Sequence, residues 1–296
     1  MSGAGGGDDA GVVAGPQAVG AAARRVLAPN PGPMTLEGTS TWVLGLGGGA
    51  VVVDPGPDDE GHLRRVLDVA DGLGGTRLVV LTHHHDDHRA GAPRLAGLAG
   101  APVRAADADL QGGAARGTPG LADGDELDLP GARLVVVAAP GHTRDSVCLL
   151  LEVPGGAPVL LTGDTVLGRG TSVVAHPDGD LGRYLATLDR LSALVDDRGV
   201  VALLPGHGPV VDRPAEVLAA LAAHRRARLE EVRAAVRAGA STPAAVVARV
   251  YPDLDAALRP AAERSSAAAL ALLADEATAD PGARDDGRSS APPRAP

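Results

Sequence analysis

Four short apolar runs in this chain each lead, within a few residues, to a side chain that can bind a metal ion, and that recurrence limits the folds open to it. Leu78-Val79-Val80-Leu81 runs into Thr82-His83-His84-His85-Asp86-Asp87-His88. Leu134 to Ala139 leads to Pro140-Gly141-His142-Thr143, and Val159-Leu160-Leu161 to Thr162-Gly163-Asp164-Thr165. Val200 to Leu204 leads to Pro205-Gly206-His207-Gly208-Pro209. Each run reads as a strand, so each His or Asp falls just past a strand end, where loops held by a rigid sheet carry function. At a strand end, positions two apart face the same way, so His83 and His85 can grip one ion while His84 turns aside. If the chain then bends into a helix, Asp87 and His88 point to a second position beside the first. A low-complexity histidine run or a solvated charged loop would not predict the further ligands downstream.

Written H-x-H-x-D-H, residues 83–88 together with His142, Asp164 and His207 resemble the metallo-beta-lactamase superfamily. The entry Asn30-Pro31-Gly32-Pro33-Met34-Thr35, the stretch Gly163 to Ser172 and a trailing helix with His224-Arg225 look like its beta-lactamase-like protein 2 branch. The sequence departs from the branch at Ser40, where Asn is usual, at Trp42, where Tyr is usual, and in having no wing hairpin after Ser265 to Leu273.

The resemblance implies an α/β fold: a four-layer αββα sandwich followed by a small all-α, winged-helix-like domain. It assigns His83, His85 and His142 to one ion, Asp87, His88 and His207 to another, and makes Asp164 the bridge between them. It places Asp54 and Thr143 in support of the ligands, and a hydroxide shared by the ions as the nucleophile, with Asp87 also accepting the water's proton. Imidazole and carboxylate suit two zinc ions best, with manganese or iron as alternatives. Arg169, Thr171 and Ser172, in the loop after Asp164, are candidates for lining the substrate cleft.

Local patterns supply the remaining elements. Residues 1–15 have little to bury and read as a flexible tail. Val19 to Leu27 opens as a strand or a short helix, and Trp42 to Leu46 and Ala50 to Asp54 pair across Gly47-Gly48-Gly49. Helical spacing marks 59–70, 90–98 and 181–195. The hydrolase domain is expected over 16–213. Helices over 214–238, 243–251 and 254–274 make a second domain over 214–276, and residues 277–296 a disordered tail. His62 and His224 are expected to face solvent, and His176 to be an ordinary loop histidine or a leaving-group acid. The arginines of 214–238 are diluted by Glu216, Glu230 and Glu231, so that helix reads as solvated or as an interdomain contact as readily as a track for phosphates.

Phe is absent, so Leu, Val and Ala must fill the core. The one cysteine, Cys148, sits inside an apolar strand and reads as a small buried hydrophobe, which excludes a disulfide framework. Nothing approaches the ~18 uninterrupted apolar residues of a membrane span, and no basic apolar leader opens the chain, so a cytoplasmic protein without membrane contact is expected. A net charge of −10 works against binding duplex nucleic acid. The first expectation is an enzyme cleaving phosphodiesters in single-stranded RNA, the activity linked to the branch. The alternatives are a glyoxalase II-like thioesterase acting on a small molecule, and a nucleic-acid-binding regulatory module whose metal is structural. Seven ligands around two ions leave room for water, unlike a closed four-ligand cage, and so favour an enzyme. A homodimer is compatible with all three.

Overall fold

The apolar runs are strands whose side chains alternate between two cores. In the computed structural model, which describes residues 17–19, 22–113 and 118–279, Trp42, Leu44, Val51, Val53 and Val80 point to one face of a sheet and Val43, Val52 and Val79 to the other. In a second sheet Leu134, Val136, Leu149, Leu151, Leu161 and Leu204 face the first, while Val137, Cys148, Leu150, Leu160 and Leu203 face away. Strands apolar on both faces must be covered on both sides, which gives the four layers.

The first sheet runs in chain order: β1 (Gln17–Val19), β2 (Ala23–Leu27), β3 (Ser40–Gly45), β4 (Ala50–Val53), β5 (Thr76–Val80) and β6 (Val103–Arg104). Its first four strands are antiparallel, and β5 and β6 join in parallel. The second contains β7 (Glu126–Leu129), β8 (Ala132–Ala138), β9 (Val147–Glu152), β10 (Val159–Gly163) and β11 (Ala202–Pro205), in the order β11-β10-β9-β8-β7. All its pairs are antiparallel except β10 with β11. Helices α1 (Glu60–Asp71), α2 (Asp86–Arg89) and α3 (Ala92–Ala99) belong to the first half. Helices α4 (Leu181–Arg198), α5 (Pro214–Arg237), α6 (Pro243–Val250) and α7 (Arg259–Ala279) belong to the second.

This topology positions the ligands. Two antiparallel steps through β9 leave β8, β10 and β11 pointing the same way, so the loops carrying His142, Asp164 and His207 leave one edge together. Hydrogen bonds tie that edge to the first sheet: Ser40 N–H donates to the Gly206 carbonyl at 2.7 Å and Val147 N–H to that of Thr82 at 2.8 Å. The buried Trp42 indole N–H donates to the Pro205 carbonyl at 3.0 Å.

Several expectations need correction. Of the two readings of the opening segment, its described residues take the strand, as β1 and β2. The helix expected over 90–98 is α3, and a separate short helix, α2, precedes it; the two are parted near Gly91, where a Cβ would stand 2.8 Å from Leu63 Cδ2 and 2.9 Å from the Pro57 carbonyl oxygen. The last helix starts at Arg259 and continues through Ala279, because its alanine-rich end favours helix, so 277–279 are not tail. The tail expected over 1–15, and the rest of that over 277–296, lie outside the described residues. The C-terminal helices pack on the rest of the chain: Leu218, Leu221, Leu229, Val232, Val246 and Ala268 share one apolar cluster with Leu188 and Leu191 of α4 and the outer face of the second sheet. Among the described residues, no helix is long and apolar enough to cross a membrane.

His62, expected to face solvent, is fully buried. It stands four residues before Val66 on the inner face of α1, and Asp59 caps the first turn by accepting from the His62 N–H at 2.7 Å. The Thr41 hydroxyl donates to the Asp54 carbonyl at 2.8 Å and so accepts from His62 Nε2 at 2.9 Å. Burial, with the Arg65 charge adding to it, pushes the His62 pKa down to about 4. The unfolded chain takes up this proton near pH 6.5 and the folded one only near 4, so stability is complete above 6.5 and falls as pH drops between those values. The whole loss is on the order of 3 kcal/mol. His62→Gln is expected to flatten this part of the curve, as read from urea unfolding at pH 7.5 and 4.5; an unchanged slope would assign the acid sensitivity elsewhere.

Candidate metal centre

Asp54 closes β4 in the left-handed region, at φ 51°. Its Oδ1 accepts from Thr82 N–H at 2.8 Å, and its Oδ2 from the Thr82 hydroxyl at 2.7 Å and from His88 Nδ1 at 2.8 Å. Thr82 has then spent its hydroxyl proton, so its oxygen accepts from His83 Nδ1 at 3.0 Å. His142 Nδ1 donates to the Val173 carbonyl at 2.8 Å and lies 2.9 Å from the Ser172 hydroxyl. His207 Nδ1 donates to the Gly38 carbonyl at 3.2 Å. Four rings thus have their outer nitrogen committed to an oxygen, which orients each ring and turns its Nε2 inward.

The inward atoms form adjoining groups. His85 Nδ1 lies 3.0 Å from His83 Nε2 and 3.1 Å from His142 Nε2. Beside them, His88 Nε2 and His207 Nε2 are 3.2 Å apart, and Asp87 Oδ2 is 3.2 Å from His207 Nε2. Asp164 spans both: Oδ1 lies 3.4 Å from His88 Nε2, and Oδ2 is 3.4 Å from His207 Nε2 and 3.8 Å from His142 Nε2. The sets His83, His85, His142 and Asp87, His88, His207 each offer atoms within 4.8 Å of one another. Space at the centre is tight: a Cβ on Gly206 would stand 2.6 Å from both Asp164 Oδ1 and His88 Cε1.

These residues fit metal ions on their own chemistry. Asp164 Oδ1 is buried without a hydrogen-bond partner, a costly state unless a cation faces it. Burial pushes the pKa of His83 well below the usual imidazole range, that of His85 down to about 4 and that of His142 down, so the first group offers three neutral nitrogen donors. Burial works against charge on Asp164 and Asp87, but His88 and His207 beside the one and His207 beside the other outweigh it and hold both carboxyls below their usual range. Neutral imidazoles with ionised carboxylates are a donor set for a divalent ion of the zinc type.

The other expected residues fall further out. The Thr143 hydroxyl donates to Asp145 Oδ1 at 2.8 Å and lies 2.6 Å from Ser146 Oγ, so it braces its own loop and has no hydrogen bond to the His142 ring. Asp145 Oδ1 also lies 2.7 Å from Nδ1 of His84, whose ring turns aside in the bend that follows β5. Ser172, expected on the substrate side, is buried against His142 and also lines the cavity there. Arg169 pairs with Glu37, and that contact holds the Glu37 carboxyl below its usual range. Thr171 is exposed, as are His176 and His224.

A cavity of about 390 Å³ opens onto His85, Asp87, His142 and Asp164, and its walls include Met34, Leu36, Leu167, Arg169, Thr171 and Ser172. The C-terminal unit completes it with Leu258, Ala261 and Arg264, which sequence patterns did not single out. The carbonyls of Gly38 and Val173 were equally unreadable, since every residue carries one.

Residues 34–207 match the family described as the Metallo-beta-lactamase superfamily, and residues 242–279 the Beta-lactamase associated winged helix domain. The chain is 32% identical over 248 residues to Beta-lactamase-like protein 2 homolog of Caenorhabditis elegans, covering 81% of this chain and 80% of that protein. It is 32% identical over 243 residues to Lactamase-like protein vrtG of Penicillium aethiopicum, covering 79% and 72%. To the Atrochrysone carboxyl ACP thioesterase dmxR1 of Cryptosporiopsis sp. it is 35% identical over 196 residues, covering 64% of this chain and 54% of that one. Among solved structures, a Beta-lactamase domain protein from Burkholderia ambifaria superposes with a TM-score of 0.72 at 25% identity, covering 88% of each chain.

Proposed function

This chain belongs to the metallo-beta-lactamase superfamily, as a metal-dependent hydrolase, and we propose that its substrate is an acyl thioester and its cofactor a pair of zinc ions. The observation that carries the substrate is the cavity wall. Met34, Leu36, Leu167, Leu258 and Ala261 suit an acyl chain, and the wall contains no Phe, Tyr or Trp on which RNA bases would stack. The relative named as a thioesterase supports the same class.

His83, His85 and His142 would hold one ion, Asp87, His88 and His207 the other, and Asp164 both. Bound there, the ions supply acidified water and polarisation of the carbonyl under attack. The chain supplies the rest. Asp54, Thr82, Val173 and Gly38 keep the imidazole lone pairs aimed inward. Asp87, ionised and on the cavity wall, is placed to accept a proton. Arg264, which has no ion-pair partner among the described residues, and Arg169 can receive an anionic part of the thiol leaving group.

Those two arginines also support the second reading, cleavage of single-stranded RNA, which sequence placed first; the aliphatic wall and the net charge of −10 put it below the thioester. The test offers the zinc-loaded protein S-lactoylglutathione, a hexanoyl thioester of N-acetylcysteamine and a fluorogenic single-stranded RNA, each with and without chelator. Chelator-sensitive thioester turnover with intact RNA is expected; RNA cleavage alone would reverse the assignment.

A further inference from the structure

The segment carrying Ser172 and Val173 belongs to no strand or helix, so no ladder of backbone bonds fixes it, although both residues touch His142. It is held from outside. Arg225, half-buried on α5, donates from Nη2 to the Ser172 carbonyl. The same guanidinium lies over the ring of Tyr184, 5.3 Å from its centroid. The buried Tyr184 hydroxyl donates to the carbonyl of Thr165, the residue after Asp164, at 2.7 Å. One side chain of the C-terminal unit thus contacts both the strap behind His142 and the ring that supports the Asp164 loop.

We propose that Arg225 is a positioning residue for the metal centre: by holding the Ser172 carbonyl it fixes the strap that orients His142, so the helical unit sets the affinity of the first metal position. This rests on the reading of His142 as a ligand. A charged, planar donor suits the task, because its hydrogen bond to a carbonyl is stronger than a neutral one and its fork keeps its direction. Arg226, next along the helix, points elsewhere, to Asp189 on the exposed face of α4 at 2.7 Å, and serves as a control.

The test is zinc affinity at each position of the full chain, measured by competition with a chromophoric chelator. Arg225→Met is expected to weaken one of two positions by about 10- to 100-fold, the usual cost of losing an outer partner, and to leave the other within about twofold. Arg225→Lys should recover part of the loss, and Arg226→Met should match the parent protein. Arg225→Gln, which leaves only a neutral and shorter donor for the Ser172 carbonyl, should weaken the same position, and decides the matter if Arg225→Met does not fold. Unchanged affinities in folded Arg225→Met, or in Arg225→Gln where the Met variant does not fold, would overturn the proposal, as would equal weakening of both positions with a lowered melting temperature. His142→Ala separates the premises: if it leaves both affinities intact, the ligand assignment itself falls, whereas loss of one position there with none in Arg225→Met removes only the role of Arg225.

Discussion

Asp164→Asn is expected to leave a folded protein that has lost turnover by more than about 100-fold, beyond the range seen when only an outer partner of a ligand is removed. The substitution keeps shape and volume and removes one charge. That charge lies within 3.8 Å of three ring nitrogens drawn from both candidate ligand groups, and one of its oxygens has no hydrogen bond among the described residues. An amide there would offer a single oxygen and present N–H groups to sites that need lone pairs. Zinc stoichiometry should fall with the rate, while circular dichroism remains that of the parent. Turnover close to the parent's would remove Asp164 from its bridging role.

Filling the ion-free protein with zinc at pH 7 is expected to release at least one proton. Burial opposes charge on His88 and His207, but Asp164 and Asp54 beside the first raise it well above the usual imidazole range. Asp164 and Asp87 raise the second to about 9. The two Nε2 atoms are 3.2 Å apart, close enough for one proton to be held between them. An ion entering between Asp87, His88 and His207 must displace it, because metals bind the neutral ring. Below pH about 9 the ion therefore competes with the proton, and affinity for that position should rise about tenfold per pH unit from 7 towards 9, then level. Calorimetry in buffers of different ionisation enthalpy counts the protons. No buffer dependence would mean the pair is already neutral; in Asp164→Asn, which loses the main charge holding the proton, the slope should flatten.

The sandwich and the loops that carry the candidate ligands were legible because both depend on short-range rules. Alternation along Val79-Val80 or Leu160-Leu161 assigns faces without knowing the partner strand, whereas His83 and His85 converge through the bend that follows β5 and not through strand alternation. Asp54 was legible as the acid at a hard strand stop. What stayed hidden depends on distant chain. Ser172 reads as a loop serine until it is found against His142, thirty residues away in sequence. His62 sits at a helical position that either face could claim, and only Thr41, on another strand, shows that it turns inward. The arginines of α5 resemble any solvated face until Tyr184 and Ser172 are placed beside one of them.

Trp42 is the only tryptophan in the chain. Its indole is buried and donates to the carbonyl of Pro205, two residues before His207. Excited near 295 nm, the protein therefore emits from one place, directly behind the loop that carries a metal-facing imidazole. No label is required to follow that loop optically, and changes in intensity or wavelength on adding zinc have a single origin.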